Sequence, residues 1–227
     1  METALLFDLD GTLVDTDHEH LIAFQRVFAP HGISLDRALY TEKIMGFSND
    51  LIARDFLPHL TQAERAATFE AKEQAYRDNV GALTPLPGVV ELLAFADAHG
   101  LKRAVVTNAP RANAEMVLRA LGFDAALPIR VIGAELPRSK PDPLPYLTGL
   151  ERTGGVAARS VAFEDSRSGI RSASAAGLAV VGITTSLDED ALIEAGATLA
   201  IADFNDSRVF ALITSRMAGG VSWPCCI

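Results

Sequence analysis

Ala4, Leu5, Leu6 and Phe7 form an unbroken apolar run, the pattern of a strand buried on both faces of a parallel sheet. The spacing then changes. Leu21, Ile22, Phe24, Val27 and Phe28 follow a helical pattern behind a candidate cap at Asp15 or Thr16, and Pro30-His31-Gly32 stops that helix. The helical pattern persists to about Thr84. Within it, Leu51, Ile52, Phe56 and Leu57 share a face, and Thr61 begins a helix through Tyr76. No strand pattern appears in this stretch, which reads as a small helical unit spliced in after the first strand.

Pro85-Leu86-Pro87-Gly88 punctuates the chain, and β and α patterns alternate beyond it. Helices are predicted over residues 89–98, 113–121, 143–150, 168–176, 189–194 and 206–217. Strands are predicted over 103–107, 131–132, 160–163, 178–182 and 199–201. Such alternation predicts the α/β class: a doubly wound, mainly parallel, Rossmann-like sheet with a small all-helical cap inserted after the first strand. The expected division is an α/β core of residues 1–14 and 85–218, a cap of 15–84, and a loosely ordered tail of 219–227.

With 227 residues, 49% of them hydrophobic, the chain can bury a sizeable core. Its formal charge of −9 argues against bulk electrostatic binding to nucleic acid or an acidic membrane. A phosphorylated small substrate stays compatible, because one local cation can reverse the field inside a cleft. The cysteines, Cys225 and Cys226, are adjacent and imply no disulfide framework. No charged-then-apolar leader precedes Asp8, and no apolar run is long enough to span a bilayer. Pro224 stands where a prenylation box needs cysteine. The expectation is a soluble, cytoplasmic, monomeric protein.

Chemistry gathers at the predicted strand ends. Asp8 and Asp10 leave the first strand separated by one residue, so both carboxylates can point into one crevice. Two acids there repel unless a cation or proton relieves them, an arrangement suited to a hard metal ion and a carboxylate nucleophile. The second predicted strand ends in Thr107-Asn108, a hydroxyl and an amide. Ser139-Lys140-Pro141-Asp142-Pro143 puts a lysine in a stiff loop before a helix. A fourth strand ends in Glu164-Asp165-Ser166, with Gly169 after it. Gly11 serves the turn, Asp15 reads as a cap or hinge contact, and Leu5, Val105 and Phe163 read as core.

Taken in order, Asp8-Leu9-Asp10-Gly11-Thr12-Leu13-Val14-Asp15, Thr107-Asn108-Ala109, Ser139 to Pro143 and the Glu164 to Gly169 segment resemble the four motifs of the haloacid dehalogenase superfamily. They are similar in particular to its β-phosphoglucomutase-like and phosphoglycolate phosphatase-like branch, which carries a helical cap. The resemblance implies that Asp8 is a nucleophile forming an aspartyl phosphate and that Asp10 is the general acid and base. It implies that Thr107 and Asn108 hold phosphoryl oxygens and that Lys140 neutralises charge. It further implies Mg²⁺ held by Asp8, the backbone carbonyl of Asp10, Glu164 and Asp165.

Asp10 favours phosphate chemistry, since a halide leaving group needs no proton from a second acid. A Schiff-base hydrolase would need a cap lysine, and neither Lys43 nor Lys72 stands in a recognisable context. The loop Met45-Gly46-Phe47-Ser48-Asn49 resembles the specificity loop of the mutase branch, which makes Gly46, Ser48 and Asn49 candidate substrate contacts. His20 is another, with a solvated or capping histidine as the alternative, and Arg111 faces either substrate or solvent. Met45 and Asn49 stand where a mutase typically places basic residues for a second phosphate. The expected activity is a Mg²⁺-dependent phosphatase of small phosphorylated metabolites, of the sugar phosphate or phosphoglycolate type. A phosphosugar mutase and a non-catalytic binding protein are the alternatives.

Overall fold

A computed structural model of the chain describes residues 2–219. The opening apolar run is β1 (Ala4–Phe7). It pairs in parallel with β2 (Lys102–Thr107) on one side and β4 (Val161–Glu164) on the other. With β3 (Ile129–Ile132), β5 (Ala179–Ile183) and β6 (Leu199–Ile201), the six strands lie in the order β3-β2-β1-β4-β5-β6. All the pairings are parallel, as the alternation of elements predicts.

Strand side chains alternate between two cores. Leu5, Phe7, Val105, Phe163 and Val181 face one side, against α5 (Val89–Ala98), α6 (Arg111–Ala120) and α10 (Ser207–Met217). Leu6, Val106, Val131, Ala162 and Val180 face the other, toward α7 (Leu144–Thr153), α8 (Arg167–Ala175) and α9 (Glu189–Ala195). Phe7 and Phe163 stack at 4.8 Å between ring centroids beside β1, at the centre of the first core.

Between β1 and α5 the described structure is helical: α1 (Asp17–Phe28), α2 (Arg37–Lys43), α3 (Asn49–Phe56) and α4 (Gln62–Asn79). A full capping box starts α4. Thr61 Oγ1 accepts from the Glu64 N–H at 3.3 Å, and the Glu64 carboxylate accepts from the Thr61 N–H at 2.8 Å. The last helix, expected through Tyr76 in a pattern that stays helical to about Thr84, ends at Asn79, and Val80 is already extended. The two crossings between insertion and sheet run side by side: Val14 bridges Pro85, and Leu86 N–H donates to Leu13 O at 2.9 Å. Thr16 precedes α1 without capping it, because its hydroxyl bonds elsewhere. The expected tail falls outside the described residues beyond Gly219. Among the described residues, no helix is long and apolar enough to cross a membrane.

Phe163 is fully buried. Phe163→Ala is expected to lower the unfolding free energy by about 3–5 kcal/mol in urea denaturation, and a loss below about 1 kcal/mol would mean the stack is not central to the core.

Candidate active site

The strand order reverses between β1 and β4, the point of a doubly wound sheet beyond which ligands bind. Asp8 follows β1, and its N–H extends the ladder to Phe163 O at 3.0 Å. Gly11 then turns the chain at φ 75°. A Cβ at Gly11 would collide with the Asp165 carboxylate, so glycine serves both the turn and the close approach. Asp165 leaves β4 beside Glu164, and Ser166 caps α8 by accepting from the Gly169 N–H at 3.1 Å. The Glu164 carboxylate occupies the space that a Cβ on Gly169 would fill. The spacing of Glu164, Ser166 and Gly169 thus has two local causes, a helix cap and a clearance.

Lys140 reaches this centre from the loop before α7. Its buried ammonium lies 2.7 Å from Asp8 Oδ1 and 2.6 Å from Glu164 Oε1. Tyr146 OH donates to Glu164 Oε1 at 2.7 Å, and Ser166 Oγ donates to Oε2 at 3.2 Å, so Glu164 is held from three directions. One ligand oxygen each from Asp8, Glu164 and Asp165 lie within 4.8 Å of one another, all three residues buried. Burial opposes the charge on Lys140, yet its two carboxylate neighbours raise it above the ordinary lysine range. Burial raises Asp8 to about 7, with Lys140 pulling down and Glu164 pushing up. Burial and the neighbouring carboxylates, Asp8 first, hold Asp165 well above the carboxylate norm.

Asp10 turns away from this trio. Its Oδ1 accepts from Thr16 Oγ1 at 2.6 Å and lies 3.4 Å from His20 Nε2. Burial favours its neutral form, but the His20 and Thr16 contacts outweigh burial and hold it below the usual carboxylate range. Thr107 lines the cavity with Oγ1 accepting from the Ala109 N–H at 2.9 Å. Asn108 lines it too, but its Nδ2 donates to Gly46 O at 3.0 Å, tying the strand end to the helical insertion. Ser168 Oγ donates to the same carbonyl at 2.5 Å. Gly46, at φ 76°, lies so close to Ser166 that a Cβ would collide.

A cavity of about 80 Å³ lies between these strand ends and the insertion. His20, Gly46 and Asn49 line it. Ser48 and Arg111 do not, and both expectations are corrected. Ser48 is buried at the start of α3. Arg111 forms a fork with Glu135 at 2.6 and 2.7 Å and a third contact to Glu115, and two carboxylates in reach draw it away from the cavity.

Lys43 is exposed, but Lys72 is the opposite of an uninformative lysine. It is buried at the cavity, with Nζ 3.1 Å from His20 Nδ1 and 3.0 Å from Glu73 Oε1. The sequence reading took Thr16 only as a helix cap, set Lys72 aside and did not single out Glu73. A signal for the last two exists: Phe69, Lys72, Glu73 and Tyr76 share one helical face, where aromatics flank a charge pair. Two charges framed by buried aromatics point to a polar pocket rather than to a solvated face.

Comparison with known proteins agrees with this geometry. Residues 5–183 match the family described as haloacid dehalogenase-like hydrolase. A phosphorylated carbohydrates phosphatase of Thermotoga maritima is 35% identical, the alignment covering 86% of this chain and 91% of that protein. The β-phosphoglucomutase of Bacillus subtilis is 29% identical, over 79% of this chain and 82% of the mutase. A hydrolase from Pseudomonas syringae of known structure superposes with a TM-score of 0.82 at 25% identity, covering 92% of this chain and 97% of that one. With a family match over most of its length and its acids gathered where β1 and β4 part, the chain belongs to the haloacid dehalogenase-like hydrolases.

Proposed function

We propose that this protein is a Mg²⁺-dependent phosphatase of small phosphorylated metabolites, of the sugar phosphate or phosphoglycolate type, working through an aspartyl phosphate on Asp8. The observation that carries the reading is the contact of the Lys140 ammonium with Asp8, 2.7 Å away, in a buried cluster of acids. An anionic nucleophile must approach an anionic phosphoryl group, and a fixed cation beside it lowers that barrier.

Asp8 attacks phosphorus as the bond to the leaving oxygen breaks, and Asp10 gives that oxygen its proton. Water then attacks the phosphorus of the aspartyl phosphate. Asp10 takes a proton from the water, the bond to Asp8 breaks, and phosphate leaves. Thr16 and His20 hold Asp10 as a carboxylate, the form that accepts a proton; release from them lets burial favour the acid form. Thr107 supplies a hydroxyl for phosphoryl oxygens. Asp8, Glu164 and Asp165 fit a hard divalent cation, being oxygen donors whose mutual repulsion one such ion relieves. When bound there, Mg²⁺ supplies charge neutralisation for the transferring group.

Residues 15–84 act as a cap hinged at residues 11–15 and 83–88. The paired crossings at Val14 and Pro85 support that placement. The insertion that roofs the cavity favours small metabolites over phosphoproteins. Met45 and Asn49 at the cavity, and the pairing of Lys72 with Glu73, favour a phosphatase over a mutase, which must also hold a second phosphate.

Phosphate release from a panel of phosphorylated metabolites is expected to require Mg²⁺ and to cease with EDTA. Asp8→Asn is expected to lower it by at least about 10³-fold, and undiminished turnover by that variant would overturn the reading. Asp10→Asn is expected to slow turnover by about 10²–10⁴-fold. Formation of glucose 6-phosphate from β-glucose 1-phosphate, in place of free phosphate, would make the protein a mutase.

A pH dependence follows from Asp8. Held at about 7 in the fold against 3.8 when free, it keeps a proton in the folded state that the unfolded chain has lost. Metal-free protein therefore loses stability as pH rises from 3.8 to about 7. Mg²⁺ is expected to raise Tm more at pH 8 than at pH 5.5 in thermal melts. An equal gain at both values would mean that the metal does not meet these acids.

A further inference from the structure

The half of the cavity farthest from Asp8 is formed by the helical insertion, and its charges are already committed. Asp17 accepts from Tyr40 OH at 3.3 Å and Arg37 at 3.4 Å, and Ser186 also bonds to it. Lys72 is the cation that the insertion brings to the cavity, and it lies between His20 and Glu73. Glu73 joins insertion and sheet. Its Oε1 accepts from Asn49 Nδ2 at 2.5 Å as well as from Lys72, and its Oε2 accepts from Asn113 Nδ2 on α6 at 2.6 Å. Asn113 Oδ1 in turn accepts from Arg77 at 3.0 Å. Burial works against the charge on Glu73, but Lys72 and Asn49 more than offset it, so the group stays a carboxylate.

A distal carboxylate or second phosphate on a substrate would enter beside Asp17 and Glu73 and find no arginine among the cavity's described lining. Burying an anion beside like charges without a free cation is unfavourable. Hydroxyl groups meet the reverse situation. They donate to the one remaining lone pair of Glu73, on Oε2, and accept from Asn49 and Lys72.

We propose that Glu73 is the specificity-determining residue of this site, and that it selects phosphate esters whose leaving group is uncharged and hydroxylated over esters bearing a second anion. This rests on the phosphatase reading and narrows it to the sugar phosphate type, since phosphoglycolate carries a carboxylate; acetyl phosphate tests that reading separately because its small acyl portion does not call on Glu73. The informative pairs keep the carbon chain and change one end: sorbitol 6-phosphate against 6-phosphogluconate, and glycerol 3-phosphate against 3-phosphoglycerate.

The wild-type kcat/KM is expected to favour the uncharged member of each pair by at least about 100-fold. Glu73→Gln, nearly isosteric, is expected to shrink that preference by at least about 10-fold, read as the ratio within each pair. Equal or better use of the anionic member, with acetyl phosphate still hydrolysed, would overturn this inference and leave the phosphatase standing. An unchanged preference in Glu73→Gln would remove Glu73 from the role. No release from acetyl phosphate or from any ester would overturn the phosphatase reading and this inference with it. The wild-type ratios need no variant, so a folding defect in Glu73→Gln does not protect the proposal.

Discussion

One buried ammonium holds the functional end of this molecule together. Asp8, Glu164 and Asp165 approach one another, largely buried, at the carboxyl ends of two adjacent strands. Carboxylates so placed repel, and burial adds a desolvation penalty to each. Lys140 lies between Asp8 and Glu164 and is stabilised in its charged form by both. Around that contact the other features find their reasons. Tyr146 and Ser166 occupy two further lone pairs of Glu164, and Gly169 leaves its carboxylate room. Gly11 does the same for Asp165. Each of these groups is polar and buried, and each has a partner that offsets its burial.

The same cluster explains why the sheet and the helical insertion meet where they do. The loop at Gly46 presents a carbonyl to Asn108 and Ser168, one from each side of the switch point. Glu73 reaches across to Asn113 on α6. These links are hydrogen bonds between groups that water can also satisfy, so each contributes only modestly to net stability.

Much of the fold was legible in order and type. Largely apolar runs of two to five residues marked the strands, and the first helix after the insertion was read at its observed limits, Val89–Ala98. The errors lay at boundaries. The helix from Thr61 was expected through Tyr76, but α4 runs on to Asn79 before the chain turns extended and later passes beside Val14. Thr16 looked like a cap because threonine often caps, yet in the fold Asp10 competes for its hydroxyl and wins at 2.6 Å.

What the sequence by itself determined is the set of strand-end groups: Asp8, Asp10, Thr107, Asn108, Lys140, Glu164 and Asp165 each follow or end a recognisable strand or loop, and parallel strands deliver their ends to one edge. That edge depends only on local pattern and on the rule for crossovers, so it can be read without coordinates. Tertiary structure alone decided which residues of the insertion face it. Whether a charge on a helix meets solvent or a cavity depends on how that helix docks, which one sequence does not encode locally. Arg111 swung to Glu135, Ser48 turned inward at a helix start, and Lys72 with Glu73 came to line the cavity between sheet and insertion.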